Sequence, residues 1–138
     1  MVRDASAPSP RLLDQPDKVA LLANEIIASV DDDREHFWVI LLNARNQYLM
    51  HSEISVGTLS SSLVHPRNVF GPALREGAAS LVLVHNHPSG DPTPSREDIR
   101  LTRQLVEASR LLDLQVHDHI VIGNGTDAWK SFAQMGLI

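Results

Sequence analysis

Ser80-Leu-Val-Leu-Val-His85-Asn-His87-Pro-Ser-Gly-Asp-Pro-Thr-Pro-Ser95-Arg-Glu-Asp98 is the stretch on which the fold turns. Ser80 to Val84 is a short, almost wholly apolar run rich in Val and Leu, the pattern of a strand buried on both faces. It ends at His85. Strand side chains repeat every two residues, so His85 and His87 leave the same face if the strand geometry continues that far. Pro88, Gly90, Pro92 and Pro94 force a tight, extended loop. Ser95 is then a good N-cap for a helix opening at Arg96. Stepping that helix by about 100° per residue puts Leu101, Leu105, Ala108 and Leu112 on one side and Arg96, Arg100, Arg103 and Arg110 on the other. Asp98 falls on the apolar side. A carboxylate facing the core needs a partner, because an unpaired buried charge is very costly. Two imidazoles at the end of the adjacent strand, together with a cation, supply one. Two His and one carboxylate suit zinc, with the fourth tetrahedral position left for water. The blander alternative is that Ser95-x-x-Asp98 is an ordinary capping box, with Asp98 favoured only by the helix dipole.

At 138 residues, 43% of them hydrophobic, the chain fits one domain with a single good core. It has no cysteine, so any metal must be held by His and carboxylate rather than by thiolate. No segment approaches the ~18 apolar residues of a membrane helix, and Arg3 has no apolar run behind it to make a secretory signal. The expectation is a soluble cytoplasmic protein with no membrane partner. The net charge of −5 argues against a large nonspecific nucleic-acid surface, which would need Lys and Arg to neutralise phosphates. The arginine side of the Ser95 helix is the local exception, with Glu97 and Glu107 close by.

Outward from the central stretch, residues 1–13 read as a flexible N-terminal tail and 14–138 as the domain. Asp14 to Lys18 starts a helix, with Pro16 suited to its first turn. Val19, Leu22, Ile26 and Val30 carry it to Asp31-Asp32-Asp33, which read as a solvated turn. His36 to Leu42 is a central strand, and Gln47 to Ser55 its return after the turn at 43–46. A second helix starts at His65-Pro66, with Val69, Phe70, Ala73 and Leu74 inward and a kink expected at Pro72. Leu114 to Ile122 and Ala128 to Phe132 are the last strands, about the turn Gly123-Asn-Gly125. One hairpin early, one late and helices between them give an α/β fold, a mixed β-sheet flanked by helices.

A metal-activated water also needs a general base. Composition does not choose among Glu25, Glu35, Glu53, Glu76, Glu97 and Glu107; Glu53, at a strand end before Gly57, has the best context. Its blander reading is a surface carboxylate on a strand edge. Asp118-His119 reads as structural, or as an outer pair orienting a ligand, and not as a ligand itself. His36, His51 and His65 have no evident partner.

His85-x-His87-Pro88 followed by Ser95 and Asp98 resembles the JAMM (MPN) metalloprotease motif. The longer run from His85 to Ser95 resembles specifically the RadC group of bacterial proteins, which carry a DNA-repair label. The match runs from about the first helix to Phe132 and is strongest from Glu53 to Asp98. The resemblance implies a JAMM/MPN (cytidine deaminase-like) α-β-α sandwich. It implies Zn2+ on His85, His87 and Asp98, with Glu53, in the string Glu53-Ile-Ser-Val-Gly-Thr-Leu, activating the water. It implies that Ser95 donates to the oxyanion of a tetrahedral intermediate. The implied activity is zinc-dependent hydrolysis of an amide or isopeptide bond in a peptide or protein substrate, by a possible homo-oligomer. The alternative is a non-catalytic binding or DNA-repair accessory domain. Longer RadC proteins add an N-terminal helix-hairpin-helix segment that binds DNA; none is expected in these 138 residues, which weakens an inference of DNA contact.

Overall fold

The computed structural model describes residues 11–138. Its elements are α1 (Pro16–Ile27), β1 (His36–Leu42), β2 (Tyr48–Val56), α2 (Pro66–Arg75), β3 (Ser80–His87), α3 (Arg96–Leu111), β4 (Gln115–Gly123) and β5 (Trp129–Ser131). The strands form one mixed sheet in the order β2-β1-β3-β4-β5. β1 runs antiparallel to both β2 and β3, β3 is parallel to β4, and β5 returns antiparallel to β4. The parallel pair is joined by α3, the kind of crossover that parallel strands require.

Alternation along the central strands sends side chains to two apolar layers. Trp38, Ile40 and Leu42 of β1 and Val82 and Val84 of β3 pack with Val19, Leu22, Ala23, Ile26 and Ile27 of α1. Phe37, Val39 and Leu41, with Leu81 and Leu83, pack with Val69, Phe70 and Ala73 of α2 and Leu101 and Leu105 of α3. Full burial of each such large side chain is worth ~1.5–3 kcal/mol. Every residue of β1 is buried, as expected for a strand covered on both faces. The expected α/β sandwich is therefore present, with α1 on one face and α2 and α3 on the other. Among the described residues no helix is long and apolar enough to cross a membrane.

Several expectations shift. β3 continues through His87, so both histidines do share a face. α1 ends at Ile27, short of the acidic run, and Val30 lies in a turn beyond it. In α2, Leu74 is 56% exposed, not inward; it sits roughly 140° around the helix from Val69, and Pro72 is buried instead. In α3, Leu112 is the 40% exposed C-cap residue and Ala108 is only half-buried, while Thr102 and Ser109 turn inward. Of the tail expected over 1–13, residues 1–10 lie outside the described part. Residues 11–13 pair with the sheet's margin: Tyr48 N donates to Arg11 O and Leu13 N to Asn46 O, both at 2.8 Å, and Leu13 is buried.

The β4–β5 turn clamps the loop that follows β3. Asn124 N donates to His87 O at 3.1 Å. A Cβ added at Gly123 would lie 2.1 Å from the Gly90 carbonyl oxygen, so two backbones meet there with no room for a methyl group. Gly123→Ala is expected to cost at least the ~1–3 kcal/mol typical of overpacking, read as a lower midpoint in urea denaturation. Gly125→Ala is the control. Nothing lies within 4 Å of its added Cβ, and its φ of +72° carries only a backbone penalty, ~1 kcal/mol. Equal costs at the two positions would show that the Gly90 contact does not matter.

Candidate metal centre

His85 and His87 continue the face of β3 that carries Leu81 and Leu83, so they point towards α3. Asp98 is the third residue of that helix and is 1% exposed. The capping box holds it: Ser95 N donates to Asp98 Oδ2 at 2.8 Å, and Asp98 N donates to Ser95 Oγ at 3.0 Å. The blander reading of Ser95 and Asp98 is thus correct as far as it goes, and the cap also aims the carboxylate. Asp98 Oδ2 lies 3.2 Å from His85 Nε2 and 3.0 Å from His87 Nε2, and the two nitrogens are 2.9 Å apart.

The hydrogen bonds on the far sides of the rings fix which nitrogens are bare. His87 Nδ1 lies 2.8 Å from the Asp91 carbonyl oxygen, which can only accept, so Nδ1 carries the proton. Thr102 Oγ1 donates to the Asp98 carbonyl oxygen at 2.8 Å. That leaves Thr102 an acceptor for His119 Nδ1, 2.6 Å away. His119 Nε2 in turn faces His85 Nδ1 at 2.6 Å. His119 is fully buried, and burial holds it well below its ordinary pKa, as does the neighbouring His85. With its one proton on Nδ1 it accepts from His85 Nδ1–H. When neutral, both rings therefore turn an Nε2 lone pair into the space they share with the Asp98 carboxylate. Two neutral imidazoles and a carboxylate converging on one point form a donor set compatible with a metal ion.

The fourth member of the cluster is Glu35, not Glu53. The nearest ligand atoms of Glu35, His85, His87 and Asp98 all lie within 4.8 Å of one another. Glu35 Oε1 is 3.7 Å from His87 Nε2, and Oε2 accepts from Leu59 N at 3.3 Å. Strand parity gives the reason. Glu35 is two residues before Phe37, on the face that carries the histidines, and Phe37 pairs with His85. Glu53 pairs with Trp38 and so stands on the α1 face, across the sheet. Its carboxylate meets His36 Nδ1 at 2.6 Å, and His36 Nε2 meets Asp31 at 3.0 Å. His36, expected to have no partner, is thus buried between two carboxylates and stacked on Trp38.

Asn86, between the two histidines, was not singled out by the sequence. It is completely buried on the opposite face. Its Oδ1 accepts from His36 N at 2.6 Å, and its Nδ2 donates to Arg34 O at 2.9 Å and to Asn124 Oδ1 at 2.7 Å. The residues on either side of Glu35 are therefore pinned to the strand that carries the histidines. A signal was available: a buried amide on a strand between two aligned side chains must satisfy three or more hydrogen bonds. Asp118 does not pair with the His119 ring. It accepts from the backbone N of His119 and Ala133 and from Ser131 Oγ, fixing the turn that places Phe132 against His119, ring centroids 4.4 Å apart.

The three donor atoms lie within hydrogen-bond reach of one another, so without a metal a proton can bridge them. Burial alone would raise the Asp98 carboxyl, but the two imidazoles hold it well below the usual carboxylate range. The hydrogen bond to Asp98 pushes His87 above its ordinary value, against burial. A raised His87 pKa stabilises the metal-free fold fully below about pH 6.5 and ceases to as pH rises through the raised value. A metal must displace that proton, so its affinity has the opposite dependence. Divalent-ion affinity is expected to fall about tenfold per pH unit below the raised His87 value and to level off above it. Competition titrations across pH 5.5–9 (about one unit per two points) measure this, and a flat profile would show that no proton is displaced.

A family model described as the RadC-like JAB domain matches residues 13–137. The chain is 56% identical over 108 residues to a UPF0758 protein of Desulforamulus reducens, covering 78% of this chain and 47% of that one. It is 52% identical over 108 residues to a UPF0758 protein of Geotalea uraniireducens, covering 78% and 46%. A third, from Desulforudis audaxviator, is 56% identical over 92 residues, covering 67% and 40%. The chain thus spans less than half the length of these relatives.

Proposed function

The chain belongs to the RadC-like JAB domain family, and on that premise we propose that it is a zinc-dependent hydrolase of amide or isopeptide bonds in a peptide or protein substrate. One observation carries the reading: two bare imidazole nitrogens and one carboxylate oxygen form a triangle with edges of 2.9, 3.0 and 3.2 Å. Ligands about 2.0–2.1 Å from a tetrahedral zinc stand about 3.3 Å apart, so the three atoms are already close to one face of such a tetrahedron. His85, His87 and Asp98 would hold the ion. When bound, zinc supplies a Lewis acid for the scissile carbonyl and a water acidic enough to attack at neutral pH.

The chain's own residues do the remaining work. Glu35 takes the proton of the attacking water and returns it to the departing nitrogen. Its place beside His87 supports this role, and Leu59 N holds one of its oxygens while the other faces the cluster. Ser95, exposed at the helix start, uses its oxygen to accept from Asp98 N, so its hydroxyl hydrogen is available to a developing oxyanion. Of the outer arginines of α3, Arg100 has Glu97 at 3.5 Å, and the net charge of −5 disfavours a broad DNA-binding surface.

The test is to load the protein with zinc, incubate it with peptide and isopeptide-linked libraries, and read cleavage by mass spectrometry. Cleavage that stops with chelator and returns with zinc supports the proposal. Cleavage indifferent to chelator, or no cleavage of either bond type by protein with full zinc occupancy, overturns it.

A further inference from the structure

Thr102 and His119 form a hydrogen-bonded link from the backbone of one proposed ligand to the ring of another. The link runs from the Asp98 carbonyl to Thr102 Oγ1, then to His119 Nδ1, and from His119 Nε2 to His85 Nδ1, at 2.8, 2.6 and 2.6 Å. The carbonyl oxygen can only accept, so Thr102 donates to it and accepts from His119 Nδ1–H. A neutral His119, as its full burial favours, then accepts at Nε2 from His85 Nδ1–H. We propose that His119, oriented by Thr102, is a positioning residue for the metal centre: it fixes the tautomer and ring angle of His85 so that Nε2 reaches the ion as a bare lone pair. This rests on the reading of His85, His87 and Asp98 as a metal site.

The sequence alternation alone would turn His119 away. Val116 packs on the α2–α3 face, and strict alternation from it would put 118 and 120 there too. Instead the β3–β4 register slips, Leu81 facing Val116 and Val82 facing Asp118. The extra residue, His117, reverses the parity, so Ile120 and Ile122 pack with α1 and His119 faces His85 and α3. A bulge that re-aims one side chain beside a site is a recurrent device. His119 is then enclosed by Phe132, stacked at 4.4 Å, and by Phe37 edge-on at 5.9 Å, so it has no water to turn towards. Outer partners of this kind orient metal-bound imidazoles generally, and removing one costs ~10–100-fold in metal affinity.

The experiment measures zinc affinity by competition with a chromophoric chelator for the wild type, His119→Phe, His119→Gln and Thr102→Val, with the melting temperature of each metal-free protein recorded. His119→Phe keeps an aromatic ring between Phe37 and Phe132 but has no acceptor, and is expected to bind zinc ~10–100-fold more weakly. His119→Gln restores an acceptor for His85 Nδ1–H and is expected to recover most of the affinity. Thr102→Val should weaken binding without a comparable loss of melting temperature. Imidazole 15N spectra of the metal-free wild type should show His85 protonated at Nδ1. Wild-type affinity in both His119→Phe and Thr102→Val, equal losses in His119→Phe and His119→Gln, or a His85 without a proton on Nδ1 would overturn the proposal. A wild type that takes up no zinc would instead remove the metal-site reading, while the His85 spectrum still judges the tautomer lock by itself.

Discussion

His87→Ala protein is expected to fold, and to lose tight zinc binding. His87 is the last residue of β3 and keeps 13% of its side chain exposed, so its removal opens no large cavity in either apolar layer. What it removes is one of three atoms that converge within 3.2 Å of one another. The loss should exceed the ~10–100-fold produced by deleting an outer partner, since a ligand itself is gone. Asp98 separates two effects that share one carboxylate. Asp98→Asn keeps an oxygen to accept from Ser95 N and so preserves most of the helix cap, but it removes the charge that offsets the cation. It should lose zinc affinity with little loss of metal-free stability when measured above the raised His87 pKa, where the charged His87–Asp98 pair no longer contributes. Asp98→Ala should lose both, adding the ~0.5–1.5 kcal/mol of the hydrogen bond lost from Ser95 N while the bond from residue 98 N to Ser95 Oγ remains. Calorimetric zinc titration with thermal melts in chelator distinguishes the two losses. Near-wild-type zinc affinity in His87→Ala and Asp98→Asn alike would mean that the ion, if any, sits elsewhere.

These three residues were legible because each depends on one local period. His85 and His87 need only the two-residue repeat of a strand, and Asp98 needs only the helical repeat from an N-cap at Ser95. Both repeats hold across that stretch without interruption. The mixed sheet and its flanking helices followed from the same regularity, but the order of the strands did not. Glu35 was not legible in the same way, although it was among the candidate glutamates. Choosing it over Glu53 requires knowing that β1 lies directly between β2 and β3 and which face each residue of the pair takes. The β1–β2 register slips between Phe37 and Trp38, next to the residue in question. No count along the chain reveals that slip. His119 reads from the sequence as structural or as an outer partner of a ligand, but its face was hidden for the same physical reason: a bulge at His117 reverses the alternation by which that face would be judged. Leu112 failed differently: a helical period says which direction a side chain takes, but not whether another element arrives to cover it, whereas Leu74 lies off the apolar stripe by the period itself.

The contrast between the two glutamates gives the second large effect. In Glu35→Gln the fold and zinc content should remain, because the carboxylate is held by one long bond from Leu59 N at 3.3 Å and lies 3.7 Å from His87 Nε2. An amide at this position can accept a hydrogen bond but cannot take a proton from water, so cleavage of whichever library substrate is found should fall by ~10²–10⁴. Glu53→Gln should leave that rate within a few-fold of wild type. Its effect belongs to stability: His36 loses a charged partner at 2.6 Å while remaining buried against Trp38 and beside Asp31. A hydrogen bond to a charged group contributes ~1.5–3 kcal/mol, and the partly exposed Glu53 should yield no more than the lower part of that range. The decisive comparison is therefore crossed, with rate measured at full zinc occupancy and stability in the metal-free state. Glu35→Gln should change the first and spare the second, and Glu53→Gln the reverse. If Glu53→Gln instead stops cleavage while Glu35→Gln cleaves normally, the base acts from the other face of the sheet. The arrangement around His87 would then not be the reacting centre, because a carboxylate paired with His36 behind β1 has no route to a water at the histidine pair without the strand itself being displaced.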